Sequence, residues 1–249
     1  NILDVLAYNT HINALVANMT LNESFLGTAQ LRSSVSSIAS GLGYIPFSKT
    51  ASRGVIRCSL DLSSVPNRPS TISLPRYTKF TASVDDETYA FQTLEEYIGQ
   101  DNGTGVYQFL NLNGTPELEI FEGVITTKTF LVGETFNTDV YIIPDINLDT
   151  STANVRVFPS STSDIFTTYD NIIDTTTITS ESNVYILKET PNGFYQLSFG
   201  TNNTLGNEPV AGNRITLDYL STNGDLANRA TSFVAAEQLA VSGTSYNLF

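Results

Sequence analysis

The first 26 residues of the chain place apolar side chains at steps of three and four positions. One stripe of this kind contains Val5, Tyr8, Ile12, Leu15 and Met19. Because an α-helix completes a turn in about 3.6 residues, such spacing predicts a helix with one apolar face over residues 2–26. Leu26 falls on the same stripe, and the polar Asn22 interrupts it.

A second run of steps of four and three follows directly. Its apolar positions are Leu31, Val35, Ile38 and Leu42. Thr28 precedes the run and is a residue type that caps helix N-termini, and Gly43 follows it, where glycine favours a helix end. Residues 1–45 are therefore predicted to form a helical hairpin.

The pattern changes after Pro46 to short runs rich in Val, Ile, Thr, Tyr and Phe, bounded by Gly, Pro, Asn or Asp. Such runs are typical of strands with one buried face. The predicted strands cover residues 54–62, 77–83, 88–93, 118–127, 139–143, 154–158, 183–188, 194–199 and 214–220. The Ser/Thr/Asp-rich residues 159–182 are predicted to form a solvated loop or a hydrated edge region outside the core, and residues 229–241 a short third helix.

These elements predict an α+β fold that is mostly antiparallel β. The helical hairpin occupies residues 1–45, a β-rich region residues 46–222, and the C-terminal helix with a linker residues 223–249. We expect the strands near 54–62 to pair with those of 194–220, which would leave an inserted subdomain near residues 85–183. The start at Asn1, within a helical pattern, indicates a piece of a longer protein.

Composition narrows the classes of function. The net charge is −13, which argues against nucleic acid and anionic membrane surfaces as partners, since both require basic patches. The only cysteine, Cys58, permits no intrachain disulfide and is expected in the core. The only histidine, His11, excludes a metal site with several histidines and is expected to be a buried hydrogen-bonding residue.

Two further patterns resemble catalytic or binding motifs. The glycine-rich stretch with Gly200, Gly206 and Gly212 has no Gly-Lys-Ser/Thr step and leads into a predicted strand, whereas a phosphate-binding loop leads into a helix. It is interpreted as a long connection between strands. The carboxylates at residues 85–87 are expected in a turn, and Glu95 and Glu96 give no specific signal of a glycosidase site. No cofactor is expected.

The stripe from Val5 to Met19 leaves two interpretations open. It either packs on the β-rich region or on the second helix of the same chain, or it forms a bundle with another chain.

Residues 2–46 also resemble the N-terminal signature of baseplate wedge proteins from contractile-tailed phages, in the baseplate-J-like family. The resemblance is carried by residues 6–11, 18–19, 22–26, 29–32 and 42–46, and it continues through residues 70–93, 121–132 and 194–230. The family's last block usually has Asp-Gly after its first Phe-Gly, where this chain has Thr201 and Asn202. The long C-terminal part of such proteins is missing from this sequence.

The resemblance implies a structural role for this protein and no catalytic activity. Such proteins build the virion's tail baseplate wedge around the central hub and tube. Two copies associate with each other and with other wedge proteins through helical bundles. Sheath-initiator or hub proteins are expected as further partners. The resemblance assigns residues 2–26 to the bundle. The main alternative is a glycan-binding tail adhesin, which would need an exposed aromatic platform but no helical seam, and a glycosidase-type enzyme ranks third.

Overall fold

The computed structural model describes residues 1–133, 140–201 and 205–249. Helix α1 covers Ile2–Glu23 and helix α2 covers Arg32–Gly41. The strands are β1 (Arg53–Ile56), β2 (Ser59–Asp61), β3 (Thr71–Leu74), β4 (Lys79–Val84), β5 (Glu87–Gln92), β6 (Tyr97–Asp101), β7 (Val106–Leu110), β8 (Leu118–Glu122), β9 (Val124–Leu131), β10 (Tyr141–Ile143), β11 (Asn154–Phe158), β12 (Thr167–Asn171), β13 (Val184–Glu189), β14 (Tyr195–Phe199), β15 (Arg214–Ser221), β16 (Val234–Ala235), β17 (Leu239–Val241) and β18 (Thr244–Tyr246). Short 3₁₀ helices cover Thr150–Thr152, Ile172–Asp174 and Gly224–Ala227.

The strands within the described residues form four sheets. The strand orders are β1-β8-β5-β4-β16, β2-β7-β6-β3, β17-β18 and β10-β14-β13-β12-β11-β15-β9. Neighbouring strands are antiparallel in the described registers except β12 and β13, which are parallel. The predicted α+β fold, mostly antiparallel β, is therefore confirmed.

The chain divides into two units. The first contains residues 1–48, 130–146 and 155–215, and its β-part buries residues such as Ile143, Val155 and Leu197. The second contains residues 49–129, 147–154 and 216–249. Its core gathers alternate residues of short strands, among them Leu60, Phe91 and Phe109, because each strand turns one side chain in two toward the interior.

Several sequence predictions about the elements are wrong. Residues 229–241 form no helix; they supply β16 and β17, because Phe233 packs edge-on against Phe91 at 5.0 Å and Val234 pairs with Thr81. The region 159–182 contains β12 in addition to loops. The predicted strand 118–127 is two strands, since Gly123 has φ of +127° between them.

The predicted pairing of residues 54–62 with residues 194–220 is also wrong. β1 pairs with β8, β2 pairs with β7, and Leu60 bridges Leu248 near the end of the chain. The turn predicted at residues 85–87 is correct: Asp85 and Asp86 both have positive φ and connect β4 to β5. Of the predicted strand 139–143, residue 139 lies outside the described residues.

Candidate assembly surface

Helix α1 begins and ends with local hydrogen bonds. The side chain of Asn1 accepts the N–H of Leu3 at 3.3 Å, and Asp4 lies in the first turn, where a negative charge favours the helix dipole. After Glu23, the hydroxyl of Thr28 donates to the carbonyl of Asn22 at 2.7 Å. Thr28 therefore closes the end of α1. The prediction that it caps α2 is wrong, because α2 begins after Leu31 without a side-chain cap.

The predicted stripe lies on one face of α1, and none of its residues is buried. The exposed fractions are 67% for Val5, 69% for Tyr8, 48% for Leu15 and 56% for Met19, and Ile12 is partly exposed. Burying these side chains against the chain's own sheets would have removed them from water. Within the described residues, neither α2 nor any sheet covers them.

A second stripe, which the sequence reasoning missed, follows the opposite side of the same helix. Its members are Leu3, Ala7, Thr10, Ala14, Ala17 and Leu21. These residues also follow steps of four and three, two positions out of phase with the first stripe, which corresponds to a rotation of about 200° on an α-helix. Leu3 and Leu21 are 69% and 59% exposed. The regular spacing of these residues could have indicated the second stripe from the sequence. The signal is weak because three of the six side chains are alanines, which contribute little apolar surface.

One group of polar residues of α1 lies between the two stripes. Asp4, His11 and Asn18 recur at steps of seven and therefore share one side of the helix. His11 is exposed. The prediction that it is a buried hydrogen-bonding residue is wrong, because α1 buries no residue at all.

The connection between the helices is held by a carboxylate. Glu23 accepts the N–H of Gln30 at 3.0 Å and the N–H of Leu31 at 3.2 Å. The hydrogen bond from Gln30, followed by one from Ser34, lowers the pKa of Glu23. The charge of Glu23 therefore satisfies backbone donors at the start of α2 that lack a carbonyl partner.

An ion pair connects α2 to strand β13 within the first unit. Arg32 donates from Nε to Glu189 Oε1 at 2.8 Å and from Nη2 to Glu189 Oε2 at 2.7 Å. The Glu189 side chain is only 4% exposed, whereas that of Arg32 is 61% exposed. Nη2 also donates to the carbonyl of Phe47 at 2.9 Å, and the hydrogen bond with Glu189 raises the pKa of Arg32. One side chain thus fixes α2, β13 and the segment at Phe47.

The remaining motifs agree with their structural interpretations. The glycine-rich stretch leads from β14 into β15, as expected for a connection, although residues 202–204 of it lie outside the described residues. Cys58 is buried in the core, and burial raises its pKa to about 11. Within the parts of the chain that the structure describes, no cluster of three metal-ligating side chains occurs, and no helix has the length and apolarity to cross a membrane.

The chain was compared with family models and with curated proteins. No family model matches the chain. A curated protein to which it is similar is a baseplate wedge protein. That protein is gp6 of Enterobacteria phage T4, which is 30% identical over 253 aligned residues. The alignment covers 95% of this chain and 36% of gp6, so the chain spans about a third of the relative's length. The resemblance to phage baseplate wedge proteins is therefore confirmed.

Proposed function

We propose that this protein is a structural, non-enzymatic subunit of the baseplate wedge in a contractile phage tail, and that it assembles through α1. The observation that carries the proposal is a 22-residue helix without a single buried residue. Helices in proteins are stabilised mostly by packing of an apolar face rather than by intrinsic propensity. The similarity to a baseplate wedge protein indicates which kind of assembly supplies the missing contacts.

The two stripes of α1 suit two neighbours. The first stripe, with large side chains such as Tyr8, Ile12 and Leu15, suits a seam against the same helix of a second copy. The second stripe, with Ala7, Ala14 and Ala17, permits close approach of a helix from another wedge protein. Hub and sheath-initiator proteins are further partners of the assembled ring. Steps of four and three on both faces are what a helix inside a bundle requires.

Light scattering of the purified chain tests the first of these contacts. The test variant carries Val5→Ser, Ile12→Ser, Leu15→Ser and Met19→Ser. Full burial of an aliphatic side chain contributes about 1.5–3 kcal/mol, so these four together contribute about 6–12 kcal/mol before the cost of association. We expect the wild-type chain to be an oligomer and the variant to be a folded monomer.

In a matched control variant, the polar residues Asn9, Asn13, Asn18 and Thr20 are changed to serine. The molar mass of this variant in solution, and therefore its oligomeric state, should equal that of the wild-type chain. Circular dichroism checks that the β-rich parts of each variant remain folded. A wild-type chain that stays monomeric at high concentration would contradict assembly of copies through α1. A seam variant that keeps the oligomer would place the contact elsewhere.

A further inference from the structure

Four asparagines of this chain are followed directly by glycine: Asn102, Asn113, Asn192 and Asn223. Such a step is chemically the least durable point of a peptide chain. Glycine has no side chain to hinder attack of its backbone nitrogen on the side-chain amide of the preceding asparagine. The structure places the four steps in different environments, which decide where this attack occurs.

The reaction needs only water and a base. Hydroxide removes the proton of the glycine N–H, and the nitrogen forms a bond to Cγ of the asparagine. The bond from Cγ to the side-chain nitrogen breaks, and that nitrogen takes a proton from water and leaves as ammonia. Water then opens the cyclic imide to aspartate or isoaspartate. The rate therefore depends on how often the glycine N–H and the asparagine amide leave their hydrogen bonds.

Asn113 and Asn192 occupy matching turns, the first between β7 and β8 and the second between β13 and β14. In each turn the glycine N–H donates to the backbone carbonyl three residues earlier, at 2.9 Å. Both asparagines are exposed, and within the described residues no hydrogen bond holds either side-chain amide. One neutral hydrogen bond therefore restrains the attacking nitrogen in each turn.

Asn223 is held much more firmly. Its backbone N–H and its Nδ2 donate to the two carboxylate oxygens of Glu122, at 3.0 and 2.9 Å. Glu122 is only 1% exposed. The N–H of Gly224, which is also buried, donates to the hydroxyl of Thr222 at 2.9 Å. Attack at Asn223 therefore requires the loss of hydrogen bonds to a buried acidic side chain.

Asn102 is held in a different way. Its Oδ1 accepts the N–H of Thr104 at 2.9 Å and the hydroxyl of Thr104 at 2.6 Å. The N–H of Gly103 donates to a carboxylate oxygen of Asp101 at 2.9 Å. Removing the proton of this nitrogen would place a second negative charge beside that carboxylate, which electrostatic repulsion opposes.

We propose that Asn113 and Asn192 are sites of covalent modification, at which the folded chain converts asparagine to aspartate and isoaspartate, and that the fold protects Asn102 and Asn223. Breaking one hydrogen bond to a charged group reduces the population of the open form about tenfold or more. Each conversion makes the net charge of −13 more negative by one. This chemistry goes beyond baseplate assembly, because it needs only the folded chain and water.

Peptide mass spectrometry tests the proposal on the full chain in mildly alkaline buffer. One sample is folded and one is unfolded in urea, and incubation continues until the unfolded sample has reacted. In the folded sample, the peptides with Asn113 and Asn192 should gain the mass of deamidation about tenfold or more faster than those with Asn102 and Asn223. In urea all four steps should react at similar rates, because their hydrogen bonds are lost. Asn192→Gln should abolish the gain in its own peptide and leave that of Asn113 unchanged.

The contrast between the two samples makes the proposal refutable. Equal rates at all four steps in the folded chain would contradict protection by the fold. No reaction at Asn113 and Asn192 in the folded chain would show that the turns themselves protect these residues, and the proposal would be wrong. Faster reaction at Asn102 or Asn223 than at the two exposed turns would overturn it as well. None of these outcomes bears on assembly through α1.

Discussion

Replacing Arg32 with alanine removes the guanidinium group whose Nε and Nη2 donate to the two carboxylate oxygens of Glu189. Hydrogen bonds to charged groups contribute about 1.5–3 kcal/mol each, and loss of one partner of a buried ion pair costs about 3–5 kcal/mol. Arg32 itself is 61% exposed, so water can reach part of the space that it leaves. We therefore expect a smaller loss, about 2 kcal/mol, in the free energy that keeps α2 attached to the sheet.

Amide exchange within α2 is the suitable assay, because the chain has two units and a single global unfolding transition is not assured. A loss of about 2 kcal/mol corresponds to roughly 30-fold faster exchange. Arg32→Lys keeps the positive charge but cannot bind both carboxylate oxygens in the same planar geometry, so the exchange rate of α2 should be intermediate. The double variant Arg32→Ala/Glu189→Gln should exchange more slowly than Arg32→Ala alone, since it no longer buries an unpaired charge.

The control is Arg57→Ala. Arg57 lies 3.7 Å from Glu117, and the two side chains are 76% and 50% exposed. Surface pairs of this kind contribute about 0–1 kcal/mol, so this variant should leave exchange in α2 unchanged. An Arg32→Ala variant whose α2 amides exchange within twofold of the wild-type rate would refute the assignment of Arg32 as the main attachment of α2.

Three further predictions concern single positions. The pKa of Glu23 is lowered chiefly by the N–H of Gln30, so its carboxylate contributes stability at pH above the ordinary value of 4.5, and this stability is lost as the pH falls through the folded pKa. The protection factor of the Gln30 amide, which is its exchange rate corrected for the intrinsic effect of pH, should fall in acid, and Glu23→Gln should remove that dependence. Gly123→Ala places a Cβ 2.6 Å from a backbone oxygen at φ of +127° and should cost about 1–3 kcal/mol in urea denaturation, more than Gly114→Ala, whose Cβ meets no atom within 4 Å; equal losses would contradict this. Cys58 should react slowly with a thiol reagent at pH 8 in the folded chain and rapidly in urea, and fast reaction without urea would show that it is accessible.

The sequence pattern was most informative where one periodicity continued over several turns. The steps from Val5 to Met19 predicted α1 and its first stripe, because long amphipathic segments carry a repeated signal. Their exposure could not be predicted, since the same stripe suits packing within one chain or between chains. The ion pair between Arg32 and Glu189 joins residues 157 positions apart, and no local pattern indicates such a contact.

Short elements were predicted least well. β3, β6 and β7, each of four or five residues, were missed although their buried and exposed positions alternate. The segment of β16 and β17 contains several alanines, which favour a helix locally, but pairing of Val234 with β4 and packing of Phe233 against Phe91 override that preference. Tertiary contacts, which a single sequence does not display, decided these cases.

Under the proposed assembly through α1, the exposure of this helix links its folding to the supply of its partners. A helix that gains its packing only from other chains is stabilised by mass action, so its helical content rises with the concentration of partner. A subunit made in excess would then keep α1 frayed and open to proteases, whereas an assembled subunit would be protected. Uncovered apolar stripes of this kind would let proteolysis adjust the number of subunits to the number of growing assemblies.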